Sequence, residues 1–138
     1  MASTIEQAGT IAFRASRGRL EVLVIRARRD RHHRVFPKGH IDAGEDAAEA
    51  ALRETEEEAG VIGRIIQALE PPLEFHDGRA RVRVRYFLVE ATAEREPDED
   101  GRDPRWLSPE DALDLLTHEG ARDVLRAALP HMTRHASS

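Results

Sequence analysis

The chain has 138 residues, of which 40% are apolar and 34% charged. That is the length of one domain with the balance of a soluble globular protein, able to bury about two-thirds of the surface its unfolded form exposes. Basic residues number 21 against 26 acidic ones, a net charge of −5 that disfavours general nucleic-acid binding, and the lack of cysteine excludes disulfides and thiolate metal sites. Apolar runs such as Val22 to Ile25 fall far short of the ~20 residues of a membrane helix. Met1-Ala2-Ser3-Thr4 has no basic and apolar leader, so a cytoplasmic address and no membrane partner are expected. Lys38 is the single lysine; every other basic residue is arginine.

Ala8 to Ala15 and Leu20 to Arg26 are β-branched, apolar runs joined by Ser16-Arg17-Gly18-Arg19, which reads as a hairpin. Val35-Phe36-Pro37-Lys38-Gly39 follows a polar stretch and predicts a tight loop. Asp46 with Glu49 three positions on forms a capping box, Ala47 to Ala59 contains neither Gly nor Pro, and Gly60 is placed to stop the helix. Ile62 to Leu69 and Leu73 to His76 read as strand material divided by Pro71-Pro72, and Asp77-Gly78 as a hairpin turn. From Arg79 the pattern alternates, with Arg79, Arg81, Arg83 and Arg85 on one face and Ala80, Val82, Val84 and Tyr86 on the other, predicting a half-buried strand to about Ala91. Thr92 to Asp103 is acid-rich and reads as a surface loop; Arg105-Trp106-Leu107 is a short strand. Ser108-Pro109-Glu110 caps a helix to about Leu116, and Ala121 to Leu129 supplies a last amphipathic segment. Residues 131–138 are expected to be a flexible tail.

Glu54, Glu57 and Glu58 stand at i, i+3 and i+4 of the capped helix and so share one face. Like charges at that spacing repel by roughly 0.2–0.5 kcal/mol per pair on an isolated helix, which calls for a cation nearby. Three carboxylates form a hard oxygen cluster suited to Mg²⁺ or Mn²⁺, ions that also bind substrate phosphates. Ala47, Ala48, Ala51, Leu52, Thr55 and Ala59 lie on the opposite side, a stripe of mostly small residues that allows close approach to a sheet and leaves the acids facing a cleft. Arg53, with Glu49, Glu56 and Glu57 one turn away, is suited to orienting a carboxylate. A solvated acidic helix would explain the glutamates alone, but not the spacing around them.

Gly39 is followed six positions later by Glu45, then after seven intervening residues by Arg53-Glu54, and then by Glu57-Glu58 and Gly60-Val61. This resembles the Nudix box, and every charged and glycine position is met; Thr55 stands where the box usually has an aliphatic residue. The resemblance implies a Nudix hydrolase with an α/β/α sandwich around a mixed β-sheet, one domain over residues 1–138, cleaving a phosphoanhydride. It implies that the Gly39 carbonyl and the carboxylates of Glu54, Glu57 and Glu58 bind metal. Glu54 or Glu57 would orient or deprotonate water, with Arg53 completing the catalytic set in an orienting role alongside Glu45. Family members often add an acid from a later loop; Glu94, Glu96, Asp98, Glu99, Asp100 and Asp103 are the candidates.

Phe36-Pro37-Lys38-Gly39-His40 is similar to the segment common in Nudix enzymes acting on diadenosine polyphosphates. That implies water attack on a dinucleoside polyphosphate such as a diadenosine tetra- to hexaphosphate, releasing ATP. Lys38 would meet a phosphate as a point charge and His40 is a further substrate-binding candidate. Tyr86 either stacks on a base or packs in the core, and Arg85, with Arg81 and Arg83, either steers polyphosphate or forms a solvated face. The rival activities are a nucleoside triphosphate pyrophosphatase and a diphosphoinositol polyphosphate or capped-RNA hydrolase. A non-catalytic Nudix-fold regulator is the rival of another class, which the full acid set argues against. A monomer or a homodimer is compatible with everything read so far.

Overall fold

A computed structural model describes residues 3–136. In chain order its elements are β1 (Thr4–Ser16), β2 (Arg19–Arg26), β3 (Arg34–Val35), β4 (Lys38–His40), α1 (Ala47–Ala59), β5 (Val61–His76), β6 (Arg81–Glu94), β7 (Arg105–Leu107), α2 (Pro109–Leu115) and α3 (Glu119–Ala136). The strands make one mixed sheet in the order β3-β2-β1-β6-β5, with β4 added to β1 and β7 to β2. Among the described strands only β1 and β6 run parallel; the other pairings are antiparallel.

Strand alternation sends the side chains of β1 to both faces. Ala8 packs with Ala50 and Ala51 of α1, while Ile11 and Phe13 join Leu125, Ala128 and Met132 of α3 on the other side. The result is the expected α/β/α sandwich. Alanines at the first contact let α1 lie close to the sheet, which brings its acids within reach of β4.

Local signals behave as read. Arg17 and Gly18, with φ of 53° and 77°, both adopt the left-handed conformation that a two-residue hairpin turn demands. The Asp46 side chain accepts from the Glu49 amide at 2.8 Å and the Glu49 carboxylate accepts from the Asp46 amide at 3.3 Å, closing the capping box.

Two expectations are corrected. Pro71-Pro72 does not divide the strand: β5 runs through it, and the register with β6 shifts between Leu69 and Leu73 to absorb the missing donors. Because β5 lies at the edge of the sheet, a proline there breaks few ladder bonds. Nor do residues 131–136 form a tail. The helix α3 continues past Pro130 to Ala136 because Met132 is fully buried and the His135 ring sits edge-on to Phe13 at 5.8 Å. A proline inside a helix costs roughly 3 kcal/mol, which this docking offsets. The end of the supposed tail, Ser137-Ser138, lies outside the described residues.

The acid-rich segment after β6 is more than a surface loop. Its amides at Asp98 and Glu99 both donate to the Glu57 carbonyl (3.0 and 3.1 Å), and that of Arg95 donates to Gly60 (2.7 Å). It therefore closes the C-terminal end of α1 and carries Arg102 into the interior.

Candidate active site

Where β4 passes the last turns of α1, the acids of the helix meet the strand backbone. A Cβ placed on Gly39 would collide with the Glu54 carboxylate, so glycine there lets that side chain lie against β4. Gly60 is required for a different reason: its φ is +70° and a Cβ would strike the Arg95 carbonyl.

Arg53 organises the acids. Its Nε and Nη2 grip both oxygens of Glu45 at 2.8 and 2.9 Å, Nη2 also donates to the His40 carbonyl at 3.1 Å, and Nη1 reaches Glu54 at 2.7 Å and Glu57 at 3.3 Å. One guanidinium thus ties the loop before α1 to two of the proposed ligands, the bidentate use for which arginine is suited. Hydrogen bonding to Glu45, and then to Glu54, raises the Arg53 pKa, and the same fork holds Glu45 down at about 2.

Glu58 departs from the expected cleft-facing position. It is 2% exposed, accepts from the Lys38 amide at 3.3 Å and from Arg102 Nη2 at 3.2 Å. Burial, and then a hydrogen bond shared with Glu54, push its carboxyl well above the usual range against the pull of Arg102. The two carboxyls crowd together although each has a guanidinium beside it, and that crowding and the all-oxygen donor set fit a hard divalent ion. Among the described residues no three acidic or histidine side chains already converge on a metal-sized space; Arg53 and Arg102 hold the carboxylates instead.

The proposed substrate residues separate. Lys38 shares its register position with Gly9, and so turns to the face of the sheet opposite α1. There its Nζ donates to Gln7 at 3.2 Å and lies 5.8 Å from the ring of Phe75, an exposed aromatic; burial lowers its pKa. His40 is exposed two residues further along β4, on the same face as Lys38. Tyr86 is corrected to a core residue: it is 4% exposed, meets Phe36 edge-on at 6.2 Å, and burial raises its pKa. A base cannot stack on a ring so enclosed. Arg85 is exposed but emerges on the α1 face beside Ala8, so it shares no surface with Lys38.

Two residues escaped the sequence reading. Arg102 contacts Glu58 and, at 2.7 Å, Glu99, which links this loop acid to the cluster. Thr10 explains the departure at Thr55, because the two hydroxyls are hydrogen bonded inside the core. Neither carries a spacing signal.

Comparison with known proteins agrees with this geometry. Residues 6–128 match the NUDIX domain. The chain is 30% identical over 130 residues to a Caenorhabditis elegans bis(5'-nucleosyl)-tetraphosphatase [asymmetrical], covering 88% of this chain and 92% of that one. The Mus musculus protein of the same description is 32% identical over 113 residues, 78% and 77% of the two chains. A crystal structure of a C. elegans Ap4A hydrolase binary complex superposes with a TM-score of 0.80 at 27% identity, over 94% of this chain and 98% of the other. The matched segment contains the whole Gly39-to-Val61 constellation, and the chain belongs to the Nudix family as a phosphoanhydride hydrolase.

Proposed function

We propose that the chain hydrolyses a dinucleoside polyphosphate, with water attacking a phosphorus and a nucleotide such as ATP leaving. The observation that carries this reading is the placement of two unlike groups around Gly39. Glu54 covers Gly39 on one side, and on the other Lys38 offers a cation beside the exposed ring of Phe75. A phosphate on Lys38 and a base against Phe75 would hold one end of the substrate on the far face of β4, and the chain of phosphates would have to pass β4 to bring the anhydride to the acids on the α1 face. The relatives described as bis(5'-nucleosyl)-tetraphosphatases support the same substrate class.

Nudix hydrolases use divalent metals, and the ion we assign here is Mg²⁺, with Mn²⁺ as a substitute, held by Glu54, Glu57, Glu58 and the Gly39 carbonyl. The bound ion supplies charge neutralisation on the anhydride and a lower pKa for water. The chain's own residues do the remainder. Arg53 and Glu45 keep Glu54 and Glu57 in place, one of those two carboxylates takes the proton from water, and Glu99 is the loop acid joined to the cluster through Arg102. The substrate is a small nucleotide; no helix among the described residues is long and apolar enough to cross a membrane.

Chromatographic identification of products tests the reading. The protein and Mg²⁺ are incubated with diadenosine polyphosphates, canonical and oxidised nucleoside triphosphates, ADP-ribose and a diphosphoinositol phosphate. Preferred release of ATP from the dinucleotides is expected. Preferred turnover of another compound would replace the substrate and keep the chemistry, whereas inertness toward all would favour a nucleotide-binding regulator.

A further inference from the structure

Arg102 lies outside the box, in a loop that carries no motif, and yet it is only 8% exposed. All three directions of its guanidinium are used. Nη2 donates to Glu58 at 3.2 Å, Nη1 to Glu99 at 2.7 Å, and Nε to the carbonyl of Arg26 at 2.9 Å. The backbone is held as well, since the Arg26 amide donates to the Arg102 carbonyl at 2.6 Å. The side chain has no second orientation that would keep these bonds.

A buried ion pair is poorly explained by stability. Removing both charges from water costs about as much as their attraction returns, and well-packed apolar side chains often do as well or better. An apolar residue at position 102 would fill the same space without drawing any carboxylate into place. The feature that only a guanidinium supplies is the joint fixing of two acids from separate elements, Glu58 on α1 and Glu99 on the loop.

We propose that Arg102 is a positioning residue that sets Glu58, and with it Glu99, in the geometry the divalent ion meets. This rests on the assignment of Glu58 as a metal ligand. Arg102 touches neither substrate nor reacting atoms; it acts through the carboxylates, as partners that orient metal ligands do elsewhere, where their loss costs about 10- to 100-fold in metal affinity.

The test is Mn²⁺ binding to the full chain, read from the electron paramagnetic resonance signal of free Mn²⁺, for wild type, Arg102→Gln, Arg102→Lys and Glu58→Gln. Binding is measured at a temperature where circular dichroism shows each variant folded. Arg102→Gln and Glu58→Gln are expected to weaken Mn²⁺ binding by about 10- to 100-fold. Arg102→Lys, which restores the charge without the fork, is expected to fall between Arg102→Gln and wild type. Wild-type affinity in Arg102→Gln beside weak binding in Glu58→Gln would overturn the positioning role and leave the ligand assignment standing. Wild-type affinity in Glu58→Gln would remove the ligand assignment and the proposal together. Wild-type affinity in Arg102→Lys would show that a charge suffices without the fork, which also overturns the proposal, whereas a loss equal to that of Arg102→Gln supports it.

Discussion

The hydroxyl oxygens of Thr10 and Thr55 lie 2.7 Å apart, both side chains almost wholly shielded from water, and Thr55 also bonds the Ala51 carbonyl at 2.8 Å. This pair fastens α1 to the central strand. Thr55→Val leaves the Thr10 hydroxyl buried without its partner and is expected to cost about 1–3 kcal/mol. Removing both hydroxyls in Thr10→Val/Thr55→Val is expected to restore stability to near wild type, because no polar atom is then stranded. Urea unfolding of the four proteins in a double-mutant cycle reads the coupling directly, and additive effects would show the pair to be unimportant.

The two glycines of the box fail in different ways. Alanine at position 39 meets the mobile end of Glu54, so Gly39→Ala is expected to keep its melting temperature while losing about 10- to 100-fold in activity as Glu54 is displaced. Alanine at position 60 meets the backbone of Arg95 at a positive φ, so Gly60→Ala is expected to lose stability by about 1–3 kcal/mol. Thermal melts and turnover measured side by side separate the two effects.

Glu57 is the most open of the three clustered glutamates, with its side chain 35% exposed. Exchanging it for glutamine preserves shape and barely touches the core. Glu57→Gln is expected to lower activity at least ~100-fold by removing a metal ligand while leaving the far-ultraviolet circular dichroism unchanged. Turnover like that of wild type would sink the ligand assignment.

Acid sensitivity follows from Glu45. Hydrogen bonds from Arg53, and then from the Asp42 amide, lower its pKa in the folded chain from 4.5 to about 2. A carboxyl with a depressed folded pKa stabilises the fold above its unfolded pKa and loses that contribution as pH falls toward the folded value. Melting temperature should therefore decline between about pH 4.5 and about pH 2, and Glu45→Gln should flatten the decline. Parallel profiles for the two proteins would contradict the coupling.

What the sequence made legible was local. Asp46, Glu49 and Gly60 delimit α1 through contacts within one turn, and Gly39, Glu54, Glu57 and Glu58 were readable because their spacing is itself the signal. Reading failed where distant partners decide. Tyr86 sits in an alternating strand whether or not Phe36 covers it, and Pro130 signals a helix end unless Met132 has a core to enter. Arg102 is the extreme case, since the groups that bury it lie 44 and 76 residues away.

The closure of α1 by the loop after β6 joins two segments into one unit of motion. The amides of Asp98 and Glu99 share the Glu57 carbonyl as acceptor, so the loop cannot lift without freeing the final turn of the helix. In hydrogen exchange these amides should be released together with those of that turn, in a single opening event. Any ion that tightens the glutamates should slow both, which makes the loop's exchange rate a remote gauge of the acid cluster.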